Sequence, residues 1–209
     1  LFFIGISLLI FPLSAQAATY YVDATGGNNT NNGTSEATAW KTISKVNSQT
    51  FSPGDFILFK KGETWREQLN YSSSGTSGNP ITYGVYGTGA SPIISGSVLK
   101  TAGWSKEFNN IWKVAATTET RIVYFNNNRG TKVADKASIV AEYQWWWSAN
   151  ILYVWSPNDV DPSTYYANPG IEVGDFLYGV IRTNDKSYVT LDGITVRYSN
   201  GDQSVNVGS

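Results

Sequence analysis

Residues 178–209 read YGVIRTNDKSYVTLDGITVRYSNGDQSVNVGS, and this stretch decides the fold class that we expect. Asn, Asp and Gly residues at 184–185, 192–193 and 200–202 divide it into pieces of about four or five residues. Within the pieces apolar residues alternate with polar ones, at Val180, Tyr188, Leu191, Ile194, Val196, Val205 and Val207. This spacing predicts short strands with one buried face, joined by tight turns. Three strands in about 25 residues are typical of one coil of a parallel β-solenoid.

The open end of such a stack predicts a longer protein. A last strand exposes unpaired backbone groups, which a further rung would cover. The repeat stops at Ser209 without that rung. We therefore expect the chain to be the N-terminal part of a solenoid that is truncated at its C terminus.

The first residues read LFFIGISLLIFPLSAQAA, an apolar run followed by small residues. Residues 15–17 fit an A-x-A cleavage site, so we expect an incomplete signal peptide over residues 1–17, cut between Ala17 and Ala18. A membrane anchor is the alternative, but Pro12 interrupts a run of about 13 residues, whereas a bilayer span needs about 20. The prediction is export to the periplasm or the extracellular space, with no membrane attachment after cleavage.

The composition restricts the chemistry that this chain can perform. It has no His, which excludes Ser-His and Cys-His catalysis and imidazole metal sites within these 209 residues. It has no Cys, so no disulfide holds it together. The net charge is −1 with both signs scattered, unlike the basic stripe of a nucleic-acid-binding protein. Aromatic residues make up 14% of the chain, which is typical of β-rich cores and also of exported carbohydrate-binding proteins.

Helical periodicity is confined to residues 42–49, TISKVNSQ, where Ile43 and Val46 share one face. Strands are predicted upstream of the opening stretch, at 19–22, 56–59, 81–86, 93–95, 111–114, 122–125 and 151–155. The spacing changes along the chain and defines three segments after the signal peptide. We place them at residues 18–97, 98–170 and 171–209, of which the second is dense in aromatic residues.

Several motifs of the first segment are similar, in order and spacing, to the start of a known family. They are Tyr20–Asp23, Ala39–Ile43, Pro53–Phe59, Gly62–Glu67, Ser77–Thr82 and Pro92–Gly96. The chain resembles secreted right-handed parallel β-helix proteins of the pectate-lyase-like superfamily. The resemblance implies an all-β solenoid whose open N-terminal end is capped by the helix at 42–49. It also implies that residues 98–170 are an inserted β-rich subdomain and that coils resume over 171–209.

This resemblance implies a function only in outline, because the fold carries several activities. We expect a carbohydrate-active enzyme, a polysaccharide lyase or a glycoside hydrolase, with a polysaccharide as its partner. A non-catalytic surface adhesin or structural protein is the alternative. Catalytic residues are expected in coils beyond Ser209, so none is assigned. Ca²⁺ is considered as a cofactor only for a lyase, and the full-length protein is expected to be a monomer.

Trp145, Trp146 and Trp147 are the most unusual run. Alternate residues of a strand point to opposite sides, so Trp145 and Trp147 share a face. If that face is exposed, the two rings are candidate substrate-binding residues that stack on sugars, and residues 98–170 would form a carbohydrate-binding module. The alternative is that the rings pack the insert against the solenoid.

The remaining candidates have ordinary explanations beside the functional ones. Asp159 and Asp161 have the spacing of Ca²⁺ ligands, but Asp before Pro is also common turn chemistry. Three further acidic residues lie in predicted turns. Three basic residues could line a groove that attracts an anionic glycan, or they could simply be solvated residues on the outer face of a strand. They are Asp185, Asp192 and Asp202, and Arg182, Lys186 and Arg197.

Overall fold

The computed structural model describes residues 16–176, 179–200 and 205–206. Within these ranges the protein is mostly β, with two short α-helices. Residues 1–15 of the predicted signal peptide and the predicted turn residue Asp202 lie outside the described residues, whereas Ala17 and Ala18 lie just before the first strand. None of the described helices has the length and apolar character needed to cross a bilayer.

The helices are α1 (Ile43–Asn47) and α2 (Pro162–Tyr165). The strands are β1 (Thr19–Val22), β2 (Phe56–Lys60), β3 (Thr64–Trp65), β4 (Leu69–Asn70), β5 (Ile81–Tyr86), β6 (Ile93–Ser95), β7 (Ser97–Lys100), β8 (Ser105–Phe108), β9 (Ile111–Ala115), β10 (Val123–Phe125), β11 (Asn128–Arg129), β12 (Thr131–Lys132), β13 (Gln144–Ser148), β14 (Ile151–Trp155), β15 (Ile171–Gly174), β16 (Ile181–Arg182), β17 (Val189–Leu191), β18 (Thr195–Arg197) and β19 (Val205–Asn206).

Ten of these strands form three parallel sheets. Sheet A has the order β1-β2-β5-β17, sheet B the order β3-β6-β18, and sheet C the order β4-β16-β19. The chain visits the sheets in the order A, B, C three times, through β2-β3-β4, β5-β6-β16 and β17-β18-β19. Each circuit through the three sheets therefore adds one strand to every sheet, and we call the three strands of one circuit a rung.

The interior of these rungs is filled by residues stacked one rung apart. Sheet A aligns Ile57, Tyr83 and Leu191, and sheet C aligns Leu69 with Ile181. All five belong to one apolar cluster or pack against it. Burying a large apolar side chain contributes about 1.5–3 kcal/mol, so these aligned positions hold the rungs together.

Helix α1 confirms the predicted helix at residues 42–49, with slightly narrower bounds. Thr42 caps it by accepting a hydrogen bond from the Lys45 amide at 3.0 Å. Ile43 and Val46 are fully buried in the apolar cluster of the rungs. Asn47 Nδ2 donates to the Gln68 carbonyl beside β4 at 2.8 Å, which fastens the helix to the first rung of sheet C.

The insert lies between β6 and β16 and has its own strand pairing, which is antiparallel except between β12 and β13. One sheet has the order β11-β10-β15-β7, and a five-stranded sheet has the order β12-β13-β14-β9-β8. A second apolar cluster, centred on Phe125, Trp145 and Leu152, is buried between them. The insert is therefore a small folded unit with a core of its own.

Strand pairing bears on the two ends of this insert, which the sequence analysis places at residues 98 and 170. Ile171–Gly174, expected to resume the coils, pairs antiparallel with Ser97–Lys100 as β15 with β7. We therefore use the name insert for residues 97–174. The alternation Ile-Glu-Val at 171–173 is consistent with a strand of the parallel rungs and with a strand of the insert. Alternation indicates a strand but not the strand with which it pairs.

Candidate functional site

A groove runs between the outer face of sheet B and the insert, and we call it the insert groove. It comprises a cavity of about 240 Å³ that continues into a more open one of about 400 Å³. Its lining residues come from three rungs of sheet B and from strands and loops of the insert: Thr64, Arg66, Ile93, Ser95, Tyr124, Asn127, Asn168, Pro169, Glu172, Val196, Arg197 and Tyr198.

The floor follows from the alternation of sheet B. Trp65, Ile94 and Val196 are aligned and point into the core. Residues on either side of them must point outward, because successive side chains of a strand face opposite ways. Ser95 and Arg197 are aligned on this outer face, and Arg66 directly follows Trp65. Arg66 and Arg197 thus flank Ser95 across the groove.

The inner wall is Glu172 of β15, a carboxylate that is only 3% exposed. Arg66 donates to it through Nε, at 3.2 Å from Oε2, and through Nη2 to Oε1. Ser97 Oγ also donates to Oε2, and Ser95 Oγ lies 2.6 Å from Ser97 Oγ. Three donors therefore occupy the carboxylate, which makes Glu172 an anchor between the insert and sheet B.

The mouth of the groove is formed by Tyr198 and its neighbours. Its hydroxyl donates to Asn127 Oδ1 at 2.8 Å, and its ring lies 4.2 Å from that of Tyr124. Burial raises the pKa of Tyr198, the charge of Glu172 raises it further, and Arg197 opposes the rise. The phenol therefore keeps its proton at neutral pH and acts as a hydrogen-bond donor beside the exposed Arg197 guanidinium.

The chemistry of the insert groove suits binding. Guanidinium, phenol, amide and hydroxyl groups can donate to and accept from the hydroxyl or carboxylate groups of a sugar. Hydrolysis of a glycosidic bond ordinarily needs two carboxyl groups. Among the described lining residues only Glu172 carries one, and its oxygens are engaged. The described part of the groove can thus bind a sugar, but hydrolysis would need carboxyl groups from other residues.

Trp145 and Trp147 share a face, as predicted, and that face is the inner one. Trp145 is 1% exposed within the core of the insert. Trp147 is half-buried against the same core, and its Nε1 donates to the Ala116 carbonyl at 2.7 Å. The structure gives Trp145 no ring face on which a sugar could stack. Packing within the insert accounts for both residues, and the exposed-platform hypothesis does not fit Trp145.

The acidic candidates take part in local contacts. Asp159 forms an ion pair with Lys106. Asp161 caps α2, accepting from the Ser163 amide at 2.8 Å and from Ser163 Oγ at 2.6 Å. No group of three His, Cys, Asp or Glu side chains in the described part of the chain has an arrangement that could hold a metal ion. Asp185 and Asp192 are exposed, and Asp185 is in the left-handed region with a φ of 58°.

Of the basic candidates, the structure brings Arg197 into the groove, while Arg182 and Lys186 are exposed elsewhere. Sequence reasoning missed Arg66, Glu172 and Tyr198. Arg66 lies within the Gly62–Glu67 motif, for which the sequence predicts no site residue. Its partner is 106 residues away, and no local pattern indicates a pairing over that distance.

Comparison with known proteins shows similarity to carbohydrate-active proteins. The chain is 31% identical over 101 residues to the lacto-N-biosidase of Bifidobacterium longum subsp. longum, a match that covers 46% of this chain and 6% of that protein. No family model matches the chain.

Two solved structures share its fold. One is XylC in complex with xylose, with a TM-score of 0.71 and 16% identity, covering 88% of this chain and 36% of XylC. The other is described as a glycoside hydrolase, with a TM-score of 0.62 and 11% identity, covering 88% of this chain and 51% of that one. The chain therefore has the fold found in part of these two proteins and spans at most about half of the length of the proteins it resembles.

Proposed function

We propose that this chain is the N-terminal part of an exported carbohydrate-active enzyme that acts on extracellular glycans. The observation that carries the proposal is the 31% identity with a lacto-N-biosidase over 101 residues. The fold shared with XylC and with a glycoside hydrolase supports it. The insert groove adds a surface with the hydrogen-bonding groups that a sugar requires.

The scaffold that we propose is a right-handed parallel β-helix of the pectate-lyase-like superfamily. Three parallel sheets, each gaining one strand per circuit, support it. The placement of α1 over the first rungs fits a cap, because the first coil of a solenoid would otherwise expose its apolar interior. Export follows from the predicted cleavage between Ala17 and Ala18, and a mature protein beginning at Ala18 would establish it.

Between the two reaction classes we favour glycoside hydrolysis over polysaccharide elimination, because the similar proteins include glycosidases. Neighbouring rungs stack about 4.8 Å apart. Equivalent positions one rung apart would suit a retaining pair of carboxylates at about 5–5.5 Å, and positions two rungs apart would suit an inverting pair. In our proposal later rungs supply this pair, and Arg197 and Tyr198 hold the part of the glycan that reaches the insert.

The full-length protein tests this proposal when it is incubated with neutral and acidic polysaccharides and with β-linked oligosaccharides. We expect new reducing ends without new carbon–carbon double bonds. Products that carry a double bond would identify a lyase instead. No release from any glycan, together with retention on glycan-coated surfaces, would overturn the enzyme proposal in favour of a non-catalytic adhesin.

A further inference from the structure

The outer face of the five-stranded insert sheet carries a row of aromatic residues that the insert groove does not use. Trp146 and Tyr153 are paired across β13 and β14, with ring centroids 5.4 Å apart. Trp155 follows two residues after Tyr153, so it lies on the same face. This face is opposite to the one that carries Trp145 and Trp147.

A cavity of about 440 Å³ lies at the end of this row, and we call it the hairpin cavity because the β8–β9 turn forms its rim. Phe108, Trp155 and Val140 line it together with two asparagines of the turn. Phe108 is 44% exposed and Val140 is 65% exposed. The volume lies within the range of about 300–1,000 Å³ that is usual for small-molecule sites.

The rim of the hairpin cavity is held in place by backbone contacts. Asn110 Nδ2 donates to the Ser156 carbonyl at 3.0 Å, and the Ser156 amide donates to the Asn110 carbonyl at 2.8 Å. These bonds tie the turn to the end of β14. Asn109, with a φ of 47°, is exposed beside it. A side-chain amide therefore stands at the edge of an aromatic floor whose position is fixed.

The electrostatics of the cavity favour an uncharged ligand. None of the described lining residues carries a charge. The nearby Lys136 lies over the Phe108 ring, 5.8 Å from its centroid, and donates to Glu107. Lys113 donates to the same carboxylate at 2.6 Å. Hydrogen bonds from Lys113 and Lys136 lower the pKa of Glu107, which keeps the carboxylate ionised and occupied by these lysines.

We propose that the hairpin cavity is a binding subsite for a neutral glycan, separate from the insert groove. A sugar ring presents an apolar face of C–H groups, which packs on Trp155 and Phe108, and a rim of hydroxyl groups, which bind the amide of Asn109. A protein partner would need about 800 Å² of matching surface, whereas the exposed apolar residues here are few and line a concavity. The subsite would hold the enzyme on its polymer away from the reaction.

The test is binding of the full-length protein to arabinoxylan, mixed-linkage β-glucan and β-galactan, with polygalacturonate as the acidic probe, by retardation in gels that contain each polymer. We expect retardation by at least one neutral polymer. Trp155→Ala and Phe108→Ala should weaken it about tenfold or more, as loss of an aromatic anchor does in an interface. Tyr165→Ala, at an aromatic residue that is 39% exposed elsewhere in the insert, is the matched control and should bind like the wild type.

Thermal unfolding of each variant separates loss of a ligand contact from loss of the fold. If Trp155→Ala does not fold, the binding test rests on Phe108→Ala. The proposal is overturned if no neutral polymer retards the wild type, if polygalacturonate alone does, or if both variants bind like the control. A dimer in light scattering that Phe108→Ala converts to a monomer would also overturn it, because the face would then bind a second copy. Release of products from a short soluble oligosaccharide by the wild type is measured separately, so the subsite proposal and the catalytic proposal can fail separately.

Discussion

Arg66 and Glu172 lie 106 residues apart in the sequence and are joined by a two-pronged ion pair that fastens the insert to sheet B. The carboxylate is 3% exposed and the arginine side chain 32% exposed. The pair is therefore partly shielded from solvent. Removing one partner there destabilises the fold more than removing both, because it leaves a buried charge without its counter-charge.

We expect Arg66→Ala to lower the free energy of unfolding by about 3 kcal/mol, because among the described residues it leaves the buried carboxylate with Ser97 as its one hydrogen-bond partner. Adding Glu172→Gln should restore part of this loss, since the amide carries no charge. Urea unfolding of the single and double variants measures both effects. A double variant no more stable than Arg66→Ala would show that the buried charge is not the cause.

Asp23 ties the long loop after β1 to sheet A. It accepts from the Thr25 and Gly26 amides, at 3.0 and 2.8 Å, and from Lys60 Nζ at 2.7 Å. Burial alone would raise the pKa of Asp23, but the hydrogen bonds from Lys60 and the two amides, together with the Lys60 charge, lower it. The folded protein therefore binds this proton less readily than the unfolded chain does.

Asp23→Asn should accordingly destabilise the protein at pH 7 by about 1–3 kcal/mol. The difference from the wild type should persist down to the unperturbed pKa of Asp, about 3.9, and disappear as the pH falls through the lower pKa of the folded state. Unfolding measured across this pH range checks the sign. A difference that grows on acidification would contradict it.

Asn200 forms a second link between the insert and the rungs. Its Oδ1 accepts from the Arg121 amide at 2.6 Å and its Nδ2 donates to the Glu119 carbonyl at 2.8 Å, while the residue is only 1% exposed. Asn200→Ala would remove both of these hydrogen bonds and should cost about 2–4 kcal/mol. Thr190→Ala, on an exposed strand position, is the control and should change stability by less than about 0.5 kcal/mol.

Gly33 and Gly62 separate two costs of adding a side chain. Both have a positive φ, 77° and 84°. A Cβ at Gly33 would lie 2.4 Å from the Trp40 ring, whereas one at Gly62 would meet nothing within 4 Å. We expect Gly62→Ala to cost about 1–2 kcal/mol through backbone strain alone, and Gly33→Ala to cost considerably more. Equal losses in thermal unfolding would show that the Trp40 contact relaxes freely.

Arg197→Ala tests the role of the insert groove in the proposed enzyme. Arg197 is exposed on the outer face of sheet B, so its loss should leave unfolding unchanged within about 0.5 kcal/mol. We expect weaker glycan binding, seen as a higher KM with a nearly constant kcat. Lys186→Ala removes an exposed cation elsewhere and is the matched control. If both variants have the KM of the wild type, the groove does not contact the substrate.

The regular strands could be predicted because alternation is visible in four or more residues. The predictions at 19–22, 81–86 and 151–155 coincide with β1, β5 and β14. The two-residue strand β4 could not be predicted, since two residues show no period. Tyr188 was assigned to the buried side but is 57% exposed, because it lies in a turn with a φ of 53°.

The candidate site was less predictable than the fold. Alternation separates Trp145 from Trp146 correctly, but which face is buried depends on the strand packed above it. The buried face of β13 is decided by the sheet that contains β7 and β15, and no local sequence pattern specifies how those two strands pair. The groove is hard to predict for the same reason. A basic residue such as Arg197 is a candidate for binding an anionic glycan, whereas Glu172 resembles any polar residue of a strand.

The insert occupies a position where very little chain is needed. In the preceding rung three residues, 66–68, connect sheet B to sheet C. In the next rung residues 97–174 are placed at the same corner, and the Asp175 amide donates to the Gly96 carbonyl at 2.9 Å. A hydrogen bond thus joins the residues on either side of the insert. Because the ends of the insert are held together, the entropic cost of closing this long connection within the stack is small. This corner of the stack can therefore carry a folded unit of this size without any change in the rungs beneath it.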